Sequence, residues 1–231
     1  MAGRNHWWGK QCLKGFYIWL SRFGGAHRKP RSFSAIITSL IGIKLRGVTK
    51  IATTRLMPLH VGKGRNISTA IADIIDYVEN PQKTDFGKFI YGYECDTRLA
   101  DAEFLLSKRQ YANLTGRNQG ADDVIAYHLR QAFKPGEVTP EEANQIGREL
   151  ALKLTKGNHA FVVCTHVDKH HVHNHIIINS TTLDCQKKFR NFWGSTWAIR
   201  RMNDKLCLEH GLSIVENPKP SREHYGTWLG K

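Results

Sequence analysis

The sequence lacks the features that mark membrane proteins and disulfide-rich secreted proteins. The apolar stretch at 35–43, AIITSLIGI, is too short to span a bilayer, and the basic tract before it does not resemble a signal peptide. The five cysteines are odd in number and widely spaced, without a CxxC pair. This argues against a disulfide framework and against a cysteine zinc site. With 231 residues, 41% of them hydrophobic, the chain can bury a core, and we expect a soluble protein of a reducing cytoplasm.

Acidic residues are absent from the first 50 positions, which hold ten Lys and Arg residues among many aromatic ones. The rest of the chain is nearly balanced, with 24 basic and 20 acidic residues. The N-terminal tract has two interpretations: an arm that binds nucleic acid, or a poorly ordered extension upstream of the true start. We therefore divide the chain into a basic aromatic extension, 1–50, and a folded domain, 51–231.

Helix caps and apolar spacing indicate the regular elements. A strand is predicted from Thr53. A helix with an apolar stripe at steps of three and four follows the cap Asn66, and the strongest cap is Thr139, with Pro140 next and an acid three residues later. The last helix is predicted to be capped by Ser195. The predicted helices span 66–80, 96–111, 139–157 and 195–211.

Five of the twelve histidines lie within positions 166–175, HVDKHHVHNH, between two β-branched, apolar segments. An antiparallel hairpin turning about Lys169 and His170 would place His166 opposite His173, with His170 in solvent. Because side chains alternate along a strand, one face of this hairpin would be apolar and the other would carry imidazoles. The predicted apolar pairs are Phe161 with Ile178, Val163 with Ile176 and Val167 with Val172.

The imidazole face has the geometry of a metal site. Opposed Cβ atoms lie about 5 Å apart and diagonal neighbours about 7 Å, so His166, His173 and His175 can converge on one ion. Asp168 lies on the same face and could accept a hydrogen bond from the second nitrogen of a ligand. His171 is either a fourth ligand or a substrate contact. The alternative is that these are surface histidines, and spacing alone names neither the metal nor the reaction.

The pattern HxDxxHxHxH, followed by IIIN, resembles the histidine motif of a known family. This family is the conjugative relaxases of plasmids and integrative elements, specifically the MobP-like mobilisation nucleases of the HUH endonuclease class. The resemblance runs from about Thr53 to Gly230. The other similar segments are TTRLMPLHVGKG, DYVENPQKT, SKRQYANLTGRNQG, HLRQAFKPGEVTPEEANQIG, TLDCQKKFRNFWGS and NPKPSREHYGTWLG.

The resemblance implies an activity and roles for particular residues. Relaxases nick one strand of single-stranded origin-of-transfer DNA in the bacterial cytoplasm, with a tyrosine that forms a 5′-phosphotyrosyl link. The segment DYVENPQKT places that role on Tyr77, and the three predicted ligands would hold Mg²⁺ or Mn²⁺ beside the acid Asp168. Auxiliary relaxosome proteins and a coupling protein are the implied partners, without membrane insertion. Residue pattern alone does not favour Tyr77 over the other tyrosines, Tyr91, Tyr93, Tyr111, Tyr127 and Tyr225.

Basic residues outside the histidine motif are further candidates for DNA contacts. Lys83 follows the tyrosine closely and either contacts phosphate or is simply exposed. The stretch QKKFRNFW, 186–193, interleaves Lys187 and Arg190 with aromatic residues, as a loop that binds single strands would. A solvated connector with buried aromatics is the alternative for this stretch.

The chain departs from the family pattern in three places. Ala132 stands where related sequences commonly have a serine, so any hydroxyl contact to DNA from that position is missing. The family usually begins near Ile51, with a methionine there, and it normally continues beyond the nuclease, whereas this sequence ends at Lys231. We therefore expect an isolated nuclease domain or a truncated product.

We predict an α+β domain with a mainly antiparallel central sheet and the histidine hairpin at its centre. Flanking helices would pack behind the sheet, and the helix that carries Tyr77 would border the site. The predicted function is metal-dependent, site-specific nicking and strand transfer. The alternatives are a rolling-circle replication initiator of the same fold, a metal-dependent phosphoesterase that uses activated water, and a DNA-binding module with a structural zinc.

Overall fold

The computed structural model describes residues 52–62, 64–117, 120 and 122–216. The predicted extension, 1–50, and the similar segment near the C-terminus lie outside these residues. Within them the order of elements is β1 (Thr53–Leu59), α1 (Ile67–Glu79), β2 (Ile90–Tyr93), α2 (Ala100–Thr115), β3 (Ala126–Ala132), α3 (Pro140–Thr155), β4 (Phe161–His166), β5 (His173–Asn179) and α4 (Ser195–Glu209). A short 3-10 helix (Thr97–Leu99) precedes α2.

The five strands form one sheet in the order β1-β3-β5-β4-β2, and every neighbouring pair is antiparallel. The predicted register of the histidine hairpin is confirmed, because Phe161 pairs with Ile178 and His166 with His173. Strand β5 is the middle strand. The predicted α+β class and the central position of the hairpin are therefore confirmed.

Helices cover both faces of the sheet. On one face α3 and α4 bury the predicted apolar side of the hairpin, through residues such as Ile146 and Ile199. On the other face α1 and α2 pack over Val162 and Ile177, through Ile75 and other residues. The structure thus has the expected helices behind the hairpin, and α1, which carries Tyr77, borders the imidazole face. The core beneath α1 and α2 contains Val162 and Ile177. The three histidines lie next to this core on the same face of the sheet.

Local signals explain where the helices begin. The Asn66 side chain accepts a hydrogen bond from the Thr69 backbone N–H at 2.8 Å, and Thr139 forms the predicted capping box ahead of α3. The predicted cap of α4 is wrong, because Gly194 is the capping residue and carries no side chain to accept a bond. The Ser195 hydroxyl instead accepts a hydrogen bond from the backbone N–H of Phe192, which ties the preceding loop to the helix. In the described part of the chain, no helix combines the length and apolarity that crossing a membrane requires.

Candidate active site

Three histidines of the central hairpin converge on one point. His166 ends β4, and His173 and His175 lie on the adjoining β5. All three are buried, with ring centroids 4.3 to 5.3 Å apart, and one nitrogen from each lies within 4.8 Å of the others. The strand register produces this arrangement, since His166 and His173 are directly opposed and His175 is their neighbour on the same face.

One nitrogen of each ring is held in a hydrogen bond with the protein. His166 Nε2 lies 2.8 Å from the backbone oxygen of Val78, and His173 Nδ1 lies 3.3 Å from that of His171. His175 Nδ1 lies 2.7 Å from Nε2 of His128, a buried residue of β3. A ligating histidine commonly donates its other N–H to such an acceptor, which fixes the tautomer and leaves a lone pair for the metal. The Val78 and His171 oxygens can only accept, so these bonds require His166 Nε2 and His173 Nδ1 to carry the hydrogens, whereas either ring can donate in the His128–His175 pair.

Burial keeps the cluster uncharged. Desolvation lowers the pKa values of His166 and His173, and desolvation together with repulsion from neighbouring imidazoles lowers the pKa of His175 to about 2. Burial, followed by the charge of Arg130, lowers the pKa of His128 to about 4. Neutral imidazole is the form that binds metals. The donor set therefore suits a divalent cation with an open coordination position, because the described residues bring three nitrogens together and no fourth ligand.

Tyr77 lies beside this cluster at the exposed edge of α1. Its ring centroid is 5.7 Å from that of His175 and 6.4 Å from that of His166, and 49% of the residue remains exposed. The Lys83 ammonium lies 4.4 Å from the centroid of the tyrosine ring. The turn after α1 returns the chain here, and the Lys83 carbonyl accepts a bond from the backbone N–H of Val167. The structure thus brings two more predicted site residues to the three histidines, while their roles stay predictions.

Asp168 and His171 lie near the cluster without joining it. Asp168 is partly exposed and has its side chain 3.9 Å from the Lys169 ammonium. It makes no hydrogen bond to the three rings among the described residues, and the acceptors described above take the part expected of it. Its negative charge opposes the lowering of the pKa of His166 and His173 by burial. The His171 ring lies 5.2 Å from that of His173 by centroid, tilted by 36°, and does not belong to the convergent set.

The basic loop 186–193 lies away from the cluster. Backbone bonds tie it to Ser180 and Thr182, beyond the end of β5, and Ser180 lies about 16 Å along the chain from His175 at 3.3 Å per residue. Lys187 and Arg190 are exposed there. The alternative of buried aromatics holds only for Phe189, which packs against Tyr127, while Phe192 and Trp193 are exposed. The structure therefore does not bring Lys187 and Arg190 to the histidines.

His128 is the site residue that sequence reasoning missed. The segment around it, VIAYHLRQAF, contains enough β-formers between Asp123 and Lys134 to indicate a strand. Recognising that strand would have added a histidine to the sheet. Its contact with His175 depends on the β3–β5 register, in which His128 lies opposite Ile177, diagonal to His175. The sequence does not supply that register.

Comparison with known proteins places this site in a family. The model of the family "Relaxase: MobA/VirD2-like, nuclease domain" matches residues 77–212, which is more than half of the chain. The chain belongs to this relaxase family. The match contains Tyr77 and the whole histidine hairpin, and it confirms the resemblance to MobP-like relaxases.

Individual relatives support the same assignment. The chain is 43% identical over 125 residues to protein rlx of Staphylococcus aureus, covering 54% of this chain and 37% of the relative. It is 31% identical over 192 residues to the group II intron-interrupted relaxase LtrB of Lactococcus lactis subsp. cremoris, covering 68% of this chain and 34% of the relative. The matched region thus spans about a third of each relative's length.

A solved structure shows the fold independently of sequence identity. The MobM relaxase domain, determined bound to a 26-nucleotide pMV158 oriT DNA, superposes with a TM-score of 0.54 at 12% identity. The match covers 79% of this chain and 100% of that domain. At this identity the likeness establishes a shared fold.

Proposed function

We propose that this chain nicks one strand of DNA at an origin of transfer and holds the cut end covalently on Tyr77. The observation that carries the proposal is the position of one exposed phenol against three convergent, uncharged imidazoles. Membership of the relaxase family supports the choice of DNA as substrate. The proposed strand transfer belongs to conjugative mobilisation, with auxiliary relaxosome proteins and a coupling protein as partners.

The reaction is a transesterification that conserves the number of phosphodiester bonds. The oxygen of Tyr77 forms a bond to the scissile phosphorus, and the bond from phosphorus to the 3′ oxygen breaks. The phenolic proton leaves the nucleophile, and a proton is taken up by the departing 3′ oxygen. The products are a 5′-phosphotyrosyl strand and a free 3′ hydroxyl, so the reverse step can rejoin DNA without a nucleotide cofactor.

His166, His173 and His175 would hold the divalent cation, for which we propose Mg²⁺ or Mn²⁺. Such an ion supplies charge stabilisation to the non-bridging phosphate oxygens when it is bound. The protein's own contribution is to orient the three rings through Val78, His171 and His128. Only three ligands converge among the described residues, which favours this interpretation over a structural zinc, since structural zinc sites are almost always four-coordinate.

Lys83 and Asp168 act on the charges around the nucleophile. Phenols ionise near pH 10, so the attacking oxygen must lose its proton during the reaction. The Lys83 ammonium, 4.4 Å from the centroid of the Tyr77 ring, favours the negative charge that develops there or on the adjacent phosphate. Asp168 lies in the hairpin turn, and its negative charge offsets the positive charge that the three histidines would carry with a cation bound. Lys187 and Arg190 would contact DNA away from the nick.

Covalent capture tests the role of Tyr77. The full chain is incubated with Mn²⁺ and labelled single strands that carry origin-like hairpins, and protein-bound label is followed on denaturing gels. Tyr77→Phe should abolish the adduct. Tyr91→Phe is the matched control, because this tyrosine pairs with Val163 on β4 and faces the opposite side of the sheet, where Arg148 stacks on it.

The outcomes separate the proposed reaction from its alternatives. An adduct that persists in Tyr77→Phe, or that is lost equally in Tyr91→Phe, contradicts the proposal. Cleavage that survives Tyr77→Phe without an adduct indicates attack by metal-activated water. A chain that unfolds when chelated and never cleaves would be a structural metal module.

A further inference from the structure

Two arginines face each other on the imidazole side of the sheet. Arg55 of β1 pairs directly with Arg130 of β3. Leu56 and Leu129, one position along each strand, pack into the core on the opposite face. Because side chains alternate along a strand, both arginines point to the same side as His175. Both residues are exposed.

This pair is unneutralised within the described part of the chain. No acidic oxygen lies within 4.0 Å of either opposed guanidinium, although some other surface cations do have carboxylate partners, such as Arg65 with Asp73 and Lys88 with Glu141. Like charges directly opposite each other destabilise an antiparallel pair. The sheet therefore carries two adjacent positive charges at a cost in stability, which folding alone does not explain.

The pair lies in line with the candidate active site. In the β3–β5 register Arg130 is directly opposite His175, so His175, Arg130 and Arg55 occupy one row across three adjacent strands. Strands are spaced about 4.8 Å apart, and the row of Cα atoms is therefore about 10 Å long. Tyr77 lies beside the His175 end of this row. The other end is the edge strand β1.

We propose that Arg55 and Arg130 bind the phosphodiester backbone of the single strand next to the scissile phosphate, and direct that strand from Tyr77 across β3 to the β1 edge. The planar guanidinium suits this ligand, because it can donate two parallel hydrogen bonds to one phosphate. Two such groups on neighbouring strands can engage successive phosphates. The inference deepens the proposed function, since it assigns a substrate subsite to the same centre.

Salt dependence of DNA binding tests the subsite without any nicking. The full chain is titrated against a fluorescein-labelled oligothymidylate in EDTA at several NaCl concentrations, and anisotropy gives the association constant. Each phosphate contact removed should lower the steepness of log K against log [NaCl] by about 0.7 for a single strand. The slope of log K against log [NaCl] should be less steep by about 0.7 in Arg55→Ala and in Arg130→Ala, and by about 1.4 in the double variant.

Matched variants distinguish a local contact from loss of net charge. Arg201→Ala on α4 makes the same charge change behind the opposite face of the sheet and should leave the slope unchanged. Arg130→Lys should retain the wild-type slope, because lysine keeps the charge. A double-alanine slope equal to that of the wild type, or an equal loss in Arg201→Ala, overturns the inference.

The same measurement separates this inference from the proposed chemistry. Binding in EDTA requires neither the cation nor the adduct, so the salt slopes of the arginine variants are read independently of covalent capture. If covalent capture fails while the arginine variants lose slope, the subsite stands and the nicking proposal falls. If capture succeeds while the slopes stay unchanged, the subsite is wrong and the nicking proposal stands.

Discussion

Replacing His128 with phenylalanine should weaken metal binding without touching a ligand. When His175 binds a cation through one nitrogen, its Nδ1 carries the proton and donates to His128 Nε2 across 2.7 Å. Both residues are buried, with exposures of 6% for His128 and 3% for His175, so water cannot readily replace the lost acceptor. Phenylalanine fills the space of the imidazole but offers no lone pair.

The size of the loss in metal affinity follows from the His175 N–H, which is left without a hydrogen-bond partner. A buried N–H without an acceptor costs about 1–3 kcal/mol, and the ring of His175 also becomes free to rotate away. Loss of an outer partner of a metal-bound histidine typically costs about 10–100-fold in metal affinity. We expect His128→Phe to weaken Mn²⁺ binding by about that factor, or about 1.4–2.7 kcal/mol.

Calorimetric titration of the full chain with Mn²⁺ measures this change. His159→Phe is the control, because His159 is equally buried and bonded to the backbone oxygens of Asn179 and Thr181, yet lies outside the cluster. His128→Gln, which keeps a polar side chain with an acceptor, should recover part of the affinity. Wild-type affinity in a folded His128→Phe would refute the reasoning, as would an equal loss in His159→Phe.

Three further predictions concern the scaffold. Gly147→Ala places a Cβ 2.6 Å from Nδ2 of buried Asn174, so thermal and urea unfolding should show a loss of about 1–3 kcal/mol, whereas Gly120→Ala, which meets nothing within 4 Å, should not. Thr139→Ala removes the cap of α3 and should cost about 1 kcal/mol in urea unfolding; an unchanged midpoint would show that the cap is dispensable. Burial lowers the pKa of Lys108 from 10.5 to about 7, so between these values the unfolded chain binds more protons and wild-type stability should rise with pH. Lys108→Met should flatten that rise, and an identical pH profile for the two proteins would contradict the assignment.

The histidine hairpin is the part of the structure that its sequence predicts best. Its apolar residues alternate with imidazoles, and a slip of one residue would turn every side chain to the wrong face. One register is therefore strongly preferred, and the opposition of His166 to His173 follows from it. Helix α3 is similarly predictable, because Thr139 and the acid three residues later form a local cap that needs no tertiary information.

Other features depend on long-range packing and escape such reasoning. Strand β3 contains enough β-forming residues to indicate a strand, but it mixes buried polar residues with apolar ones, so no clean alternation predicts which face its side chains occupy. Strand β2 has only four residues. Asp168 seemed the natural partner for a ring nitrogen, but residues distant in sequence supply the acceptors, such as Val78 for His166 and His128 for His175. Choosing among those acceptors requires the packed sheet.

The bond between His166 and Val78 joins the helix that carries Tyr77 to the histidine cluster. Val78 lies in the last turn of α1, where backbone carbonyls have no partner within the helix, and the imidazole caps one of them. Tyr77 is the adjacent residue, so its backbone is anchored to a ring that would coordinate the cation. A chain whose hairpin has not yet formed thus lacks both the ligands and an aligned phenol. Assembly of the sheet is therefore the step that brings Tyr77 and the three histidines together, and neither part of the candidate site is complete before it.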